Sequence, residues 1–497
     1  MNRVLIANRG EIACRIVRAC HEEGLEAIAV FSEADRHSPH VHAADRAVLI
    51  GPAPARESYL HVERLLDAAR RTGADAIHPG YGFLAERAHF ADAVEAAGLV
   101  FVGPPPAAIR AMGEKTEARR RMEAAGVPVV PGTTSPVDSA EAGLAIARRI
   151  GYPIFVKAVA GGGGKGMRQV RSPEELAPAF RAAVSEAEAA FGDGSVYIET
   201  LIERPRHVEI QIMGDSHGRV VHVGERECSV QRRHQKLIEE APSPGVNAEL
   251  RARMGEAAVR AAAAVGYRSA GTVEFLLDPA GNFYFLEMNT RIQVEHPVTE
   301  MIYGVDLVRE QLRIAAGQAT RIRAGLAPRG HAIECRITSE DPHGDFLPAT
   351  GRIAFLRIPS GPGVRWDGGV EVGNEVGVFY DPLLAKLIVW GESRAVAIRR
   401  MRRALDELLI LGVPTSQGFH RRVMDDPAFA RGDYDIDYLE GVGRQLLSAE
   451  PDRAMLEHVA LAAALAEHEA RNAAAPVTPA ATDDSTWLRV ARQRALR

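Results

Sequence analysis

At 497 residues the chain is too long for one ordinary hydrophobic core, and about 150 residues per domain predicts roughly three domains. A composition of 46% hydrophobic and 25% charged residues is that of a soluble globular protein and excludes a fibrous or disordered chain. The formal net charge of −5 gives no reason to expect nucleic acid or an anionic membrane as a partner, and no segment approaches the ~20 apolar residues of a membrane helix.

Cysteine usage and the N-terminus predict the compartment. The cysteines show no C-x-x-C spacing and lie in segments that have the pattern of helix or strand interiors. The apolar run at 4–7 is ended by Asn8 and Arg9, so it is too short for a signal peptide. We therefore expect a reducing, cytoplasmic environment.

The N-terminal region, residues 1–112, alternates between strand and helix patterns. Such alternation predicts a parallel, doubly wound domain. The predicted strands are 3–7, 27–31, 76–78 and 100–102, and the predicted helices are 10–23, 60–69 and 90–97.

A second domain is predicted over 113–328, with a flap subdomain at about 130–203. Its mixed pattern indicates an α+β construction built on antiparallel hairpins. The predicted helices are 115–125, 173–190 and 248–265, and the predicted strands are 154–159, 207–213, 220–223, 272–277 and 283–287.

The rest of the chain predicts a strand-rich third domain over 329–445, with a helix at 396–409. Residues 446–497 form a tail in which an Ala-rich helix at 454–474 precedes a segment rich in Pro and Thr. That composition is typical of a linker.

A glycine-rich run at 160–166 (AGGGGKG) lies between two predicted strands. It is not a dinucleotide fingerprint, because a strand and not a helix follows it, and Gly166 occupies the Ser/Thr position of a Walker A loop. The run is therefore a hairpin, either a flexible surface loop or a flap whose backbone N–H groups surround phosphate. Lys157 and Lys115 favour the phosphate interpretation.

Two glutamates, Glu274 and Glu287, lie in predicted strands joined by the turn at 278–282 (DPAGN). A regular hairpin would set them directly opposite each other. Carboxylates at ~5 Å repel by about 3 kcal/mol at an effective dielectric constant near 20, so a cation is expected between them. Oxygen ligands near a phosphate site favour Mg²⁺ or Mn²⁺.

Polar residues continue from Glu287 at every second position, at Asn289, Arg291, Gln293 and Glu295. If the strand continues, all five side chains share one face. A solvent-facing strand would also alternate, but this face begins at the metal-type pair, which favours a functional interpretation. Spacing alone leaves two other sites open: 231–236 (QRRHQK) fits a solvated loop, and Arg336 fits a surface ion pair.

Several segments together resemble the biotin carboxylase family, over nearly all of the chain from residue 2 to about 445. The most specific is 287–300, because other ATP-grasp ligases share the flap and the acidic pair but not the Arg-x-Gln-x-Glu continuation. The segments are 7–13 (ANRGEIA), 78–84 (HPGYGFL), Lys157 with the glycine run, 206–236 and 287–300 (EMNTRIQVEHPVTE).

The resemblance implies a protein of α/β and α+β class with three parts: a Rossmann-like (pre-ATP-grasp) N-terminal domain, an ATP-grasp central domain with a glycine-rich flap, and a strand-rich biotin carboxylase C-terminal domain. It also implies a ligase that uses ATP and bicarbonate to carboxylate biotin through carboxyphosphate, giving ADP and phosphate. This is the first half-reaction of an acyl-CoA carboxylase.

The resemblance further implies a role for each matching residue. ATP would be held by Lys115, Lys157, Gly163, Gly164, His207, Gln231 and His234, with Glu199, Thr200, Leu201 and Ile202 lining the adenine pocket. Two Mg²⁺ or Mn²⁺ ions would be bound by Glu274, Glu287 and Asn289. Bicarbonate would be bound by Lys236, Arg291, Gln293 and Val294, with Glu295 as the base and Arg336 stabilising the biotin oxyanion.

A few positions depart from the family pattern. Glu114 stands where Asp is usual, Thr200 where Lys is common, and Ala85 and Arg87 where Ser and Asn are usual. Thr200 could alter nucleotide affinity, although contacts at such segments are largely made by the backbone. None of these departures removes a catalytic group.

The family's biotin acceptor, a Met-Lys pair, does not occur in the sequence. Biotin is therefore expected on another polypeptide or on a downstream region. The partners that the resemblance implies are a biotin carboxyl carrier protein or domain and a carboxyltransferase subunit, in a homodimer or a larger α/β assembly. Two alternatives stay open: another bicarbonate-phosphorylating ATP-grasp ligase, such as a carbamoyl-phosphate-forming domain, and an inactive nucleotide-binding subunit.

Overall fold

The computed structural model describes residues 1–133, 135–159, 166–448 and 453–472. The chain divides into one unit from Met1 to Leu447 and a second unit that begins at Ser448. Among the described helices, none has both the length and the apolar character needed to cross a membrane.

The N-terminal region contains a five-stranded parallel sheet of order β3-β2-β1-β4-β5. Its strands are β1 (Arg3–Ile6), β2 (Glu26–Ser32), β3 (Arg46–Gly51), β4 (Ala76–His78) and β5 (Val100–Phe101). Its helices are α1 (Gly10–Glu22), α2 (Pro39–Ala43), α3 (Val62–Thr72), α4 (Ala88–Ala96) and α5 (Pro106–Gly113). The predicted parallel, doubly wound arrangement is confirmed.

A small antiparallel sheet of order β7-β6-β8 follows. Its strands are β6 (Ile154–Ala158), β7 (Met167–Val170) and β8 (Val196–Thr200), and the helices of this part are α6 (Lys115–Ala124), α7 (Ala140–Ile150) and α8 (Pro173–Phe191). This part of the chain has its own hydrophobic core, which includes Val156, Leu176 and Ile198. The strands predicted on both sides of the glycine run are confirmed, while residues 160–165 of that run lie outside the described residues.

The largest sheet is antiparallel, with eight strands in the order β13-β12-β9-β10-β11-β14-β21-β19. These strands are β9 (Arg206–Gly214), β10 (Val220–Arg232), β11 (Gln235–Ala241), β12 (Ser269–Leu277), β13 (Phe283–Asn289), β14 (His331–Thr338), β19 (Val364–Gly368) and β21 (Leu383–Gly391). Because β11 pairs with β14, the sheet runs without a break from the predicted second region into the third. The boundary near residue 328 stays a prediction.

Six shorter strands and eight helices complete the strands and α-helices of the described residues. The strands are β15 (Glu340–Asp341), β16 (Leu347–Pro348), β17 (Gly351–Arg352), β18 (Phe355–Arg357), β20 (Glu375–Val376) and β22 (Leu409–Leu411). The helices are α9 (Ala248–Ala263), α10 (His296–Tyr303), α11 (Leu307–Ala315), α12 (Arg394–Glu407), α13 (Gln417–Asp425), α14 (Pro427–Arg431) and α15 (Tyr438–Ser448), with α16 (Arg453–Asn472) in the second unit.

The expected strand through Glu295 is wrong. β13 is the outermost strand of its sheet, and its last pair is Thr272 with Asn289. Residues 290–295 have no strand partner and turn into α10, whose first turn contains Pro297. Proline lacks the N–H that a ladder requires and is favoured at a helix start, so the chain leaves the sheet here.

A bulge in β10 shapes the middle of the large sheet. The register with β9 shifts between His222 and Glu225, and Gly224 in this bulge has φ +70°. A Cβ atom at Gly224 would collide with the ring of Tyr303 in α10. The bulge therefore requires glycine both for its backbone conformation and for the approach of α10.

Gly224→Ala is expected to lower the midpoint of thermal unfolding more than Gly218→Ala. Both residues have positive φ, which costs a side chain about 1 to 2 kcal/mol, but a Cβ at Gly218 meets nothing within 4 Å. Calorimetry of both variants at one scan rate checks this. Equal shifts would show that contact with Tyr303 contributes nothing.

Candidate active site

The predicted carboxylate pair is formed by the β12–β13 hairpin. Glu274 pairs directly with Glu287 in the strand register, as the turn at 278–282 predicts. The register shifts by one residue beyond Glu274, where Phe275 pairs with Phe285. The pairing of the two glutamates is confirmed although the hairpin is not regular.

Lys236, on β11, is in contact with three carboxylates from three different elements. Its Nζ lies 2.6 Å from Glu209, 2.8 Å from Glu274 and 2.8 Å from Glu295. Burial disfavours the ammonium, but the three carboxylates outweigh this and raise the pKa of Lys236 well above its usual value. The lysine is thus a fixed positive charge at the centre of the site.

Glu274 is the most heavily hydrogen-bonded of these carboxylates. Besides Lys236, its Oε1 accepts from Asn289 and Gln293, each at 2.8 Å, and its Oε2 lies 2.8 Å from Nε2 of His207. Burial works against the imidazolium of His207, yet Glu274 raises its pKa. The pKa of Glu274 is in turn held well below its usual value despite burial, chiefly by Lys236.

Glu295 lies between Lys236 and Arg336. Its Oε1 accepts from Lys236, and its Oε2 is 2.9 Å from Nη2 of Arg336 on β14. Burial raises the pKa of Glu295, but these two cations lower it overall. The carboxylate is therefore ionised near neutral pH, which is the form that a base requires.

Arg226 lies beneath these residues and was not predicted as a site residue. Its guanidinium is fully buried, is paired with Glu209, and donates to Gln211 at 2.6 Å and to Gln293 at 2.8 Å. His207, Glu209 and Gln211 alternate along β9, so a period-two face on this strand was an available signal. The signal for Arg226 itself was weaker, because its partners come from separate parts of the chain.

A cleft of about 570 Å³ opens beside the carboxylate pair. Lys157 is ion-paired with Glu199 on its wall, Arg119 donates to Glu199 at 2.9 Å, and Glu86 lies 3.1 Å from Nε of Arg291. The predicted site residues that line it are Lys157, Glu199, Glu287, Asn289 and Arg291.

The other predicted residues lie around this centre. Thr200, Leu201 and Ile202 directly follow Glu199 but are not among the described residues that line the cleft. The carbonyl oxygen of Val294 accepts from the buried Lys386 at 2.8 Å.

Two residues left open by the sequence lie in the β10–β11 hairpin. Gln231 pairs with Lys236, and His234 is in a two-residue turn with Arg233, at φ 65° and 48° respectively. This segment is therefore a tight hairpin and not a loose loop. Gly163, Gly164 and the side chain of Lys115 lie outside the described residues.

The donor chemistry fits a hard divalent cation. Glu274 and Glu287 face each other, and Oδ1 of Asn289 is 3.0 Å from Arg291 Nη2 at the edge of the cleft. Carboxylate and amide oxygens are the ligands that Mg²⁺ and Mn²⁺ prefer.

Sequence models of three protein domains match the chain. They are "Biotin carboxylase, N-terminal domain" over residues 1–109, "Carbamoyl-phosphate synthase L chain, ATP binding domain" over 114–322 and "Biotin carboxylase C-terminal domain" over 334–441. The first and last of these argue against a carbamoyl-phosphate-forming domain.

Two curated biotin carboxylases match over almost their whole length. A biotin carboxylase of Nostoc sp. is 54% identical over 89% of this chain and 99% of the relative. A biotin carboxylase of Haemophilus influenzae is 52% identical over 88% of this chain and 98% of the relative.

Solved structures share the fold. The Campylobacter jejuni biotin carboxylase, in complex with a β,γ-ATP ligand, superposes with a TM-score of 0.85 at 46% identity, covering 88% of this chain and 98% of that one. The biotin carboxylase domain of Hydrogenobacter thermophilus 2-oxoglutarate carboxylase, solved as a dimer with MgADP, ADP and bicarbonate, also gives 0.85, at 47% identity over 90% and 99%. The chain belongs to the biotin carboxylase family of ATP-grasp ligases.

Proposed function

We propose that this chain uses ATP and bicarbonate to carboxylate biotin, with Glu295 as the base between two cationic groups. The supporting observation is that one carboxylate contacts both Lys236 and Arg336, which lie on the neighbouring strands β11 and β14. Bicarbonate bound beside Lys236 and biotin bound beside Arg336 would then meet at Glu295.

The nucleotide would occupy the cleft beside the carboxylate pair. Lys157 supplies a positive charge for its phosphates, and the segment from Glu199 to Ile202, with the predicted Gln231 and His234, would complete the pocket. Glu274, Glu287 and Asn289 would hold Mg²⁺ or Mn²⁺, which offsets charge on the transferring phosphoryl group when bound. Lys115, Gly163 and Gly164 keep the phosphate-binding roles that the family resemblance implies.

Bicarbonate would be held by Arg291 and Lys236, with Gln293 and the backbone of Val294. Glu295 accepts the proton of bicarbonate, so that a bicarbonate oxygen can attack the γ-phosphorus and displace ADP. The product, carboxyphosphate, breaks down to CO₂ and phosphate. Enclosure of this labile intermediate protects it from water.

Arg336 would act on biotin. The released phosphate takes the N1′ proton of biotin, and negative charge develops on the ureido oxygen. A guanidinium held by two carboxylates is preorganised to stabilise that charge while N1′ attacks CO₂. The products are carboxybiotin, ADP and phosphate.

The partners follow from this chemistry. We propose that biotin is presented by a biotin carboxyl carrier protein or domain, and that a carboxyltransferase subunit consumes carboxybiotin. Relatives that are subunits of larger carboxylases support this, such as the α subunit of methylcrotonoyl-CoA carboxylase from Oryza sativa, which is 52% identical over 90% of this chain.

Arg336→Ala is expected to lower biotin-stimulated phosphate release by about 100-fold, because the oxyanion loses its guanidinium. Arg291→Ala is expected to abolish release with and without biotin, because bicarbonate is no longer held. Both are measured with Mg²⁺, bicarbonate and free biotin.

Arg352→Ala, an exposed arginine on β17, is the matched control and should behave as the unmodified protein. Turnover that ignores biotin in the unmodified protein would contradict the proposed acceptor. Ammonia-dependent turnover would then favour a carbamoyl-phosphate-forming ligase, and ATP binding without turnover an inactive subunit.

Glu287→Gln is expected to raise the Mg²⁺ concentration for half-maximal ATP cleavage about 10-fold, since one anionic ligand becomes neutral. Titration of Mg²⁺ at saturating ATP and bicarbonate measures this. Glu256→Gln on the exposed side of α9 is the control. An unchanged Mg²⁺ requirement would remove Glu287 from the metal site.

A further inference from the structure

A second pair of carboxyl groups lies behind Arg336. Glu239 on β11 and Glu334 on β14 are directly opposite in the strand register, and both residues have 0% exposure. Directly opposite residues in an antiparallel pair project to the same face, with Cβ atoms about 4.5 to 5.5 Å apart. The two carboxyl groups are therefore neighbours in a region from which water is excluded.

Only part of this pair has a hydrogen-bond partner. Oε1 of Glu239 accepts from Nε of Arg336 at 2.6 Å. Within the described part of the chain, no hydrogen-bond partner is found for Oε2 of Glu239 or for either oxygen of Glu334. Two buried carboxylates in this arrangement would be strongly unfavourable, whereas an acid and a carboxylate can share one proton.

The electrostatic surroundings agree with one shared proton. Burial raises the pKa of Glu239 to about 7, although Arg336 opposes the rise, and burial raises the pKa of Glu334 well above its usual value, although Lys386 opposes it. The charged and titratable groups around the pair are Arg336, Glu295, Lys236, Lys386, Cys228 and Cys335.

We propose that Glu239 and Glu334 are a positioning pair that shares one proton and holds the Arg336 guanidinium while Glu295 gains and loses its charge. The inference rests on the proposed roles of Glu295 and Arg336. When Glu295 takes the bicarbonate proton, its charge-assisted bond to Arg336 weakens, and Glu239 remains as the anionic anchor.

The shared proton also prevents Arg336 from being drawn too far toward Glu239 and Glu334. If both carboxyl groups were ionised, Arg336 would be drawn toward them and away from the biotin oxygen. With Glu334 neutral and Glu239 ionised, Arg336 contacts one carboxylate, Glu239, that keeps its charge through the reaction and another, Glu295, that gains and loses its charge. Its orientation is then coupled to the protonation of the base.

Glu239→Gln tests the pair through a pH profile. The readout is the ratio of biotin-stimulated to biotin-independent phosphate release, which cancels the pH dependence of ATP and bicarbonate themselves. In the unmodified protein this ratio should rise as the pH increases through about 7, where Glu239 ionises. This rise is the limb of the pH profile that reports on Glu239. Glu239→Gln should lose the limb and lower the plateau of the ratio about 10-fold, because Arg336 is then held by a neutral amide.

Glu334→Gln gives an independent arm. The amide cannot ionise and can donate to Glu239, which favours the carboxylate, so the limb should move about one unit toward lower pH. The matched control is Glu240→Gln, at the neighbouring buried residue on β11. Glu240 accepts hydrogen bonds from Nε of Arg394 at 2.7 Å and from its Nη2 at 2.9 Å. Glu240→Gln should lower thermal stability and leave the limb in place.

The possible outcomes distinguish failure of the positioning pair from failure of the proposed function. A limb unchanged in Glu239→Gln, or in Glu334→Gln if the first variant does not fold, overturns the positioning pair. A uniform loss of activity without any movement of the limb also overturns it, because that is the signature of a purely structural role. Absence of biotin stimulation in the unmodified protein instead overturns the proposed function.

Discussion

The ammonium group of Lys236 brings together strands that are distant in the chain. Glu209, Glu274 and Glu295 come from β9, from β12 and from the segment before α10, and each lies within 2.8 Å of this one nitrogen. Three buried carboxylates without it would repel one another strongly, and one lysine without them would be deprotonated or excluded. The position of Glu295, the proposed base, thus depends on a balance of buried charges.

Arg226 is a second buried cation that holds several elements of the site together. Its guanidinium is fully buried and binds side chains from β9, from β12 and from the segment before α10, including Thr272 at 3.1 Å and Gln293 at 2.8 Å. Buried ion pairs contribute little net stability, but removing one partner is costly because it leaves the other charge uncompensated. Such a network favours one arrangement of the strands over near alternatives, which suits a site whose groups must be preorganised.

Local patterns in the sequence predicted much of the fold and part of the site. The turn at 278–282 and the alternation beside it were enough to pair Glu274 with Glu287. The pattern failed at 290–295, because alternation does not reveal that β13 is the outermost strand of its sheet and that its ladder with β12 ends at Asn289. Glu209 and Arg226 could not be paired from sequence, since their register depends on a bulge at Gly224 that only the neighbouring helix explains.

The unbroken eight-stranded sheet bears on how the protein could be divided. Lys236 and Arg336 lie on β11 and β14, so the hydrogen bonds of a single ladder set the spacing between the proposed bicarbonate-binding and biotin-binding cations. Cutting the chain near residue 328 would separate β11 from β14 and would leave an unpaired strand edge on each fragment. The unpaired N–H and C=O groups of such edges form hydrogen bonds with other strands. Halves that are produced separately would therefore tend to recombine or aggregate, and they would not behave as independent domains.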